Sequence, residues 1–223
     1  MSYGSVVLDM DGVILDFEGD DFRWKYDAVR SVLKDRGVDP SGFSRDELDA
    51  FLGDRGVEKC VEACEALGLN AADVWEAVAR ATTEARIEKI ENGEFTLYPE
   101  VKDVLETLDS MQKRLGIISN APDRAVQAVV THYDIRNHFE FFRGIEDFDD
   151  LTARKPHPDH LEMAQAELKR DPYIYAGDAE SDLVAAREAG MDSAWVKRND
   201  ATVDVRPDYE IKDLEEFLDI VER

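Results

Sequence analysis

Five short apolar runs, rich in β-branched or aromatic residues, alternate along this chain with longer segments of helical period. The runs lie at 5–9, 115–119, 139–143, 173–177 and 193–196. The helical segments between and after them lie near 99–111, 122–133, 157–168, 181–189 and 212–222. Consecutive strands joined by helical crossovers pair in parallel. The alternation therefore predicts an α/β fold, with a Rossmann-like parallel sheet as the core and helices on both of its faces.

About a hundred residues separate the first apolar run from the second, far more than an ordinary connection between a strand and a helix needs. Within this interval, apolar residues recur at helical spacing in four segments, at 22–36, 45–52, 57–67 and 71–90. The sequence therefore predicts two domains. A core is formed by 1–16 and 96–223, and a small α-helical cap is inserted at 17–95.

The charge balance is strongly acidic, with 27 Lys and Arg against 51 Asp and Glu, for a formal net charge of −24. A surface this negative repels nucleic acid and anionic membranes, so we expect neither as a partner. The chain starts without a secretion signal and has no apolar stretch near the roughly 18–20 residues that span a bilayer, which predicts a cytoplasmic protein. Lysine is scarce, at 10 residues, and with the acidic excess this favours the hypothesis of a halophilic source.

Two carboxylates stand at the end of the first predicted strand, in the sequence Asp9-Met10-Asp11-Gly12. Side chains two residues apart on an extended chain point to the same side, so both carboxylates face one site. Two like charges this close are unfavourable unless a cation binds, a proton is shared or one group is used chemically. Taken alone, the motif is equally compatible with an aspartate that caps a turn at Gly12.

Three further motifs occur where later strands end or later helices begin. Ser119 ends the second predicted strand and Asn120 follows it, before a helix start of the kind that binds anions. Lys155 comes immediately before a helix whose start is set by two prolines, and Asp178 and Asp182 follow the fourth strand. Each has an ordinary structural reading: Ser119 and Asp182 as helix caps, and Lys155 as a solvated surface charge. That reading suits Asp178 less well, because it follows an apolar strand so closely.

In this order, the motifs DxDG, a serine at a strand end, a lysine before a helix and GDxxxD make the chain resemble the haloacid dehalogenase superfamily of phosphohydrolases. The resemblance covers the predicted core, and the helical insertion matches a cap placed after the first strand. Within the superfamily the chain resembles the phosphatase branch that includes phosphoglycolate phosphatases and β-phosphoglucomutases. Four ordered motifs at strand ends are far more specific than any one of them.

The resemblance implies a role for each motif residue. It implies that Asp9 attacks phosphorus and forms an aspartyl-phosphate. It implies that Asp11 protonates the leaving group and then activates water, for which its pKa must lie nearer neutrality than that of a free aspartate. By the same resemblance, Ser119 and the backbone N–H of Asn120 hold phosphoryl oxygens, and Lys155 offsets negative charge between nucleophile and phosphate.

The resemblance also implies Mg²⁺ as the cofactor, because a hard cation is held by a few acidic groups beside a substrate phosphate. Asp9 and Asp178 are the expected direct ligands, joined by the backbone carbonyl of Asp11 and by Asp182, directly or through water. In the cap, Arg23, Lys25, Arg55 and Lys59 could each bind a substrate anion, and Arg55 is the expected contact because it lies in a glycine-flanked loop.

The implied function is magnesium-dependent hydrolysis of a small phosphate monoester, with a small phosphorylated metabolite as partner and a monomer or homodimer as the assembly. Asp11 favours phosphate over carbon–halogen substrates, because the dehalogenase branch lacks that carboxylate. Phosphonate hydrolysis would require a cap lysine that forms a Schiff base, and no motif singles one out. A sugar phosphomutase of the β-phosphoglucomutase type is the main alternative, followed by a catalytically idle binding module.

Overall fold

The computed structural model describes residues 2–17, 21–198 and 200–222, and it contains the predicted parallel sheet. The order of the six strands across this sheet is β5-β4-β1-β6-β7-β8, and every neighbouring pair is parallel. Their bounds are β1 Ser5–Leu8, β4 Arg114–Pro122, β5 Phe141–Ile145, β6 Tyr173–Gly177, β7 Asp192–Val196 and β8 Tyr209–Ile211. The predicted fold class is confirmed.

Helices cover both faces of this sheet, which explains why β1 is apolar at every residue after Ser5 and fully buried. The core helices are α5 Val101–Ser110, α6 Asp123–His132, α7 Asp159–Leu168, α8 Glu180–Glu188 and α9 Leu214–Val221. Val6 and Leu8 of β1 pack in one apolar cluster with α5, α6 and α9. Val7, which points to the other face, packs in a second cluster with α7 and α8.

The described part of the long interval after β1 contains four helices that share a separate apolar cluster. Their bounds are α1 Arg23–Asp35, α2 Arg45–Leu52, α3 Val57–Ala66 and α4 Ala71–Glu91. A short antiparallel pair, β2 Leu15–Asp16 and β3 Thr96–Leu97, joins the chain where it enters and leaves this insertion. The division into core and cap stays a prediction, which this separate cluster supports, although Ile145 and Leu151 from the core side also pack in it.

The helices of the insertion begin and end where local chemistry satisfies their terminal backbone groups. Ser44 and Glu47 form a reciprocal capping box at the start of α2, in which each side chain bonds the other residue's backbone N–H. Gly53 ends α2 in the left-handed conformation, at φ 79°. The Asn70 side chain accepts a hydrogen bond from Asp73 N–H at the start of α4.

Four strands differ from the sequence prediction: β5 begins later than expected, and β2, β3 and β8 were not predicted. β5 begins two residues later than expected, because the preceding turn uses Phe139, whose N–H bonds Arg136 of a short 3-10 helix. β2, β3 and β8 were not predicted, because strands of two or three residues are too short to show a periodic pattern. The remaining element boundaries agree within about three residues, the usual uncertainty of helix and strand ends.

Across the described ranges, no helix combines the length and the apolar character needed to cross a membrane. α4 is long enough, at 21 residues, but charged side chains recur along it. The cytoplasmic location and the expected absence of nucleic-acid and membrane partners stay predictions.

Candidate active site

The carboxyl ends of the central strands and the inner side of the cap enclose a cavity of about 220 Å³. Six of the residues singled out by the sequence motifs line it: Asp9, Asp11, Ser119, Asn120, Lys155 and Asp182. Asp178 stands directly after β6, with a carboxylate oxygen within 4.8 Å of those of Asp9 and Asp182. The structure therefore brings the four distant core motifs together at one sheet edge, as parallel topology requires.

Lys155 is the cation of these motifs, and only 4% of its surface is exposed. Its ammonium lies 2.8 Å from Asp9 Oδ1 and 2.6 Å from Asp182 Oδ1, and it donates to the Tyr175 hydroxyl at 2.7 Å. Burial alone would lower the pKa of Lys155, but the carboxylates of Asp182 and Asp9 outweigh burial and raise it. The reading of Lys155 as a solvated surface charge is wrong, because its charge is enclosed by carboxylates.

Asp9, Asp178 and Asp182 form a cluster suited to a divalent cation. Burial raises the pKa of Asp9, and Asp182 and Asp178 raise it further, while Lys155 lowers it. Burial and the charge of Asp182 also raise the pKa of Asp178, to about 7. The single ammonium of Lys155 does not neutralise three carboxylates, so the cluster can keep a net negative charge. Three carboxylate groups also supply the hard oxygen ligands that Mg²⁺ prefers. The donor set therefore matches the implied cofactor.

Within the cluster, both carboxylate oxygens of Asp182 are already used in contacts with other groups of the protein. Its Oδ1 accepts from Lys155, and its Oδ2 accepts the N–H of Ala179 at 2.9 Å. Its side chain is 1% exposed, whereas Asp178 is partly accessible. Asp9 and Asp178 are thus better placed as direct ligands, and Asp182 is better placed to act through water or through Lys155.

The glycine of the first motif allows a close approach between two parts of this cluster. Gly12 has φ +78°, and a Cβ added at this position would collide with the Asp178 carboxylate. A side chain would thus be strained here and would also displace a candidate metal ligand. The DxDG glycine therefore has a packing role at the candidate site as well as a conformational one.

Asp11 has a partner that the sequence did not predict. Arg86 of α4 binds it with both guanidinium nitrogens, Nη1 at 2.5 Å from Oδ1 and Nη2 at 2.8 Å from Oδ2. Burial would raise the pKa of Asp11, but Arg86 outweighs burial, and the pKa lies below its usual value. The expectation of a pKa nearer neutrality is therefore wrong for this arrangement, in which Asp11 is held as a carboxylate.

Of the two neighbouring residues expected to hold phosphate, Ser119 faces the cavity and the Asn120 side chain bonds within the protein. Ser119 is buried at the cavity, and its Oγ accepts the N–H of Ala121 at 3.2 Å. The Asn120 side chain is used within the protein, because its amide donates to Lys155 O and accepts from Lys155 N–H, both at 2.9 Å. Ser119 lies within β4 and does not cap a helix, since α6 begins at Asp123 with Pro122 before it.

Arg55 does not lie where the sequence analysis expected it. Its guanidinium pairs with Asp46 and approaches Asp49 at 3.7 Å, and it lines a groove between α2 and α3 instead of the cavity. The acidic residues of α2 hold this side chain on the outer face of the cap. The prediction that Arg55 contacts the substrate is therefore corrected, because its charge is already paired away from the site.

Other cations of the cap and its neighbouring loop face the cavity instead. Arg154 donates to Gly53 O and lies 2.8 Å from Asp54 Oδ1, which ties the loop after α2 to the core. Lys25 of α1 lines the cavity together with Arg86. Burial lowers the pKa of Lys25, and Asp11 counteracts this in part. Of the four cap cations that the sequence suggested, Lys25 lines the cavity and the other three do not. The sequence gave no reason to prefer Lys25 and no signal for Arg154, because their positions depend on how the cap packs on the core.

Comparison with known proteins agrees with this geometry. The profile of the haloacid dehalogenase-like hydrolase family matches residues 6–196. The pyrophosphatase PpaX of Oceanobacillus iheyensis is 27% identical over 228 residues, which cover 99% of this chain and 98% of the relative. A phosphoglycolate phosphatase of Pseudomonas putida is 30% identical over 190 residues, which cover 83% of this chain and 66% of the relative.

Among solved structures, that of a predicted phosphoglycolate phosphatase from Haemophilus somnus aligns with a TM-score of 0.68 and 22% identity. The alignment covers 100% of this chain and 99% of that one, and at this identity it shows the fold alone. The family assignment rests on the matched profile, which spans most of the chain and includes the residues converging on the cavity. The chain therefore belongs to the haloacid dehalogenase-like hydrolase family, as an enzyme of its phosphatase branch.

Proposed function

We propose that this protein hydrolyses a small phosphate monoester with the help of Mg²⁺, through a phosphorylated Asp9. The observation that carries the proposal is the cluster of Asp9, Asp178 and Asp182, in which Asp9 and Asp182 pair with the buried Lys155. A purely structural site would have little reason to place three carboxylates close together, with one ammonium beside them, at the end of a sheet. The same concentration of charge argues against a catalytically idle binding module.

In this proposal the residues of the chain divide the work of phosphoryl transfer. Lys155 holds Oδ1 of Asp9, so the second oxygen of Asp9 is the one that attacks phosphorus. Ser119, buried beside the cavity, is placed to hold a phosphoryl oxygen. When bound by Asp9 and Asp178, Mg²⁺ would neutralise charge on the phosphoryl oxygens and on these carboxylates.

Two bond exchanges complete the reaction. In the first, Asp9 forms a bond to phosphorus, the ester P–O bond breaks, and Asp11 gives its proton to the departing alkoxide oxygen. In the second, water attacks phosphorus, its proton passes to Asp11, and the bond between Asp9 and phosphorus breaks. Both carboxyl groups then return to their starting states, with inorganic phosphate and an alcohol as products.

This role requires the contact between Asp11 and Arg86 to loosen during the cycle, because a carboxylate bound by two guanidinium nitrogens has a low pKa. Arg86 belongs to the inserted helices, whereas Asp11 follows β1 of the sheet. The protonation of Asp11 therefore depends on the position of the cap over the core. Cap movements of this kind occur on the microsecond to millisecond timescale in many enzymes.

The size of the cavity limits the substrate. Its volume of about 220 Å³ lies below the roughly 300–1,000 Å³ typical of pockets for drug-sized ligands. Phosphoglycolate and pyrophosphate, the compounds in the names of the relatives, are small enough to be the first substrates to test. We prefer a phosphatase to the phosphomutase alternative because both of these relatives are named for hydrolysis.

Phosphate release from pyrophosphate and from a panel of small phosphate esters that includes phosphoglycolate, measured with Mg²⁺ and with EDTA, tests the proposal. We expect turnover that requires Mg²⁺ and falls by at least about a thousandfold in Asp9→Asn, since the nucleophile is lost. Turnover that is unaffected by EDTA or by Asp9→Asn would refute the proposal, and no turnover across the panel would favour the idle module. With hexose 1-phosphates, formation of an isomeric sugar phosphate instead of free phosphate would favour the phosphomutase.

A further inference from the structure

Among the described residues that line the cavity, four side chains are cationic, and three of them have carboxylate partners. These pairs are Lys155 with Asp9 and Asp182, Arg86 with Asp11, and Arg154 with Asp54. The fourth cation is Lys25, near the start of α1. Over residues 2–17, 21–198 and 200–222, it has no ion pair within 4.0 Å.

The surroundings of Lys25 are aromatic and partly desolvated. Its ammonium lies 4.8 Å from the ring centroid of Phe22 and 5.6 Å from that of Trp24, and the side chain is half-buried. These rings stabilise the cation weakly but supply no hydrogen-bond acceptor as strong as a carboxylate. A cation that is drawn out of water without an anion carries an energetic cost that a ligand anion would remove.

A second unpartnered group lies next to Lys25. The indole Nε1–H of Trp24 is buried, and within the described part of the chain no acceptor lies in hydrogen-bond range of it. Trp24 lines the same cavity, and the guanidinium of Arg86 lies 5.6 Å from its ring. Buried indole N–H groups are usually paired, so this donor is also in a position that a ligand acceptor would satisfy.

We propose that Lys25 and the Trp24 indole form a subsite for a second anionic group, a carboxylate or a phosphate, on the leaving-group side of the substrate. The proposal rests on the proposed function, in which the reacting phosphoryl group lies at Asp9. Lys25 and Trp24 are on the first cap helix, whereas Asp9 and Lys155 are on the core, so a ligand that fills the cavity contacts both sides. The preferred substrates are then small phosphate esters with two separate anionic ends.

Arg86 connects this subsite to the reacting end. Its guanidinium binds Asp11 with two nitrogens while it stands over the Trp24 ring. An anion bound at Lys25 therefore lies near the same guanidinium that holds Asp11 as a carboxylate. The subsite makes Lys25 a specificity-determining residue, and we expect it to select substrates by charge more than by length.

The test compares phosphoglycolate with its isosteric amide, in which an uncharged carboxamide replaces the carboxylate. In the unmodified protein with Mg²⁺, we expect kcat/KM to favour the carboxylate by about 10- to 100-fold, the range expected for a hydrogen-bonded charge. Lys25→Met should remove most of this preference, and Trp24→Phe, which keeps an aromatic ring, should reduce it in part. The control is Lys59→Met, because Lys59 pairs with Glu62 at the cap surface and does not line the cavity.

Equal losses for the carboxylate and the amide in Lys25→Met would overturn the subsite, as would a parent protein that does not discriminate between them. Pyrophosphate, compared with methyl phosphate, tests a phosphate as the second anion in the same variants. Calorimetry with the Asp9→Asn variant, with and without Lys25→Met, measures the affinities for phosphoglycolate and its amide in the absence of turnover. A parent with no turnover at all refutes the proposed function, whereas the binding preference still supports or overturns the subsite.

Discussion

Replacing Lys155 with methionine removes the ammonium that contacts both Asp9 and Asp182, and it should lower the stability of the metal-free protein. The side chains of Lys155, Asp9 and Asp182 are 2%, 10% and 1% exposed, so water cannot replace the lost charge. Removing one partner of a buried ion pair costs about 3–5 kcal/mol of the free energy of unfolding. For a chain of this size, about 2–4 °C per kcal/mol places the fall in Tm at roughly 6–20 °C.

The loss should depend on pH, with a sign set by the carboxylates. Lys155 lowers the pKa of Asp9, so its removal moves that pKa further above the value in the unfolded chain. A carboxyl group whose pKa is higher in the folded state destabilises the fold as pH rises from the unfolded pKa towards the folded one. Lys155→Met should therefore lose more stability at pH 8 than at pH 5, relative to the parent protein.

Thermal unfolding followed by circular dichroism, in EDTA at pH 5 and pH 8, measures both effects. The control is Lys102→Met, an exposed lysine on α5, which should shift the free energy of unfolding by less than about 0.5 kcal/mol. Adding Asp182→Asn to Lys155→Met should restore part of the lost stability, because fewer buried charges remain unpaired. A Tm for Lys155→Met at pH 8 within about 2 °C of the parent would refute the reasoning.

Three further predictions concern the metal cluster and the surface charge. The pKa of Asp178 is raised to about 7 in the metal-free protein, so protons compete with Mg²⁺ for its carboxylate. Calorimetry should therefore show tighter Mg²⁺ binding at pH 8 than at pH 6, and Asp178→Asn should lose most of this difference. Gly12→Ala should weaken Mg²⁺ binding in the same titration, because its Cβ would displace the Asp178 carboxylate, and an unchanged affinity would contradict the packing role of Gly12. Raising KCl from low to molar concentration should increase Tm, because salt screens the repulsion among the acidic groups that give a net charge of −24. A Tm that does not change with salt would count against the halophile hypothesis.

The parallel sheet was predictable because burial on both faces forces its strands to be continuous short apolar runs. β1 is fully buried between β4 and β6, and its sequence carries that signal directly. The convergence of the core motifs was predictable for a related reason. Side chains at or just beyond the carboxyl ends of parallel strands share one edge of the sheet, whatever their separation along the chain, so Asp9, Ser119 and Asp178 had to meet.

The contacts between cap and core were not predictable, because they depend on how an inserted helical unit packs on the sheet. The sequence places Thr82, Thr83 and Arg86 on one side of α4, but it does not show which surface that side faces. The pKa of Asp11 was mispredicted for this reason, since its direction is set by Arg86. The position of Arg55 was also missed, because acidic residues of α2 hold its side chain outside the cavity.

The most direct test of the account asks whether Asp9 itself becomes phosphorylated. The enzyme is mixed with Mg²⁺ and a phosphate ester that it hydrolyses, and the reaction is quenched in acid. Borohydride then reduces any aspartyl-phosphate to homoserine, and peptide mass spectrometry locates the reduced residue. We predict that fragment ions place the reduced residue at Asp9 and not at Asp11, and that it disappears when either Mg²⁺ or the ester is omitted. Release of phosphate while Asp9 stays unmodified, or modification of a different carboxylate, would contradict the account.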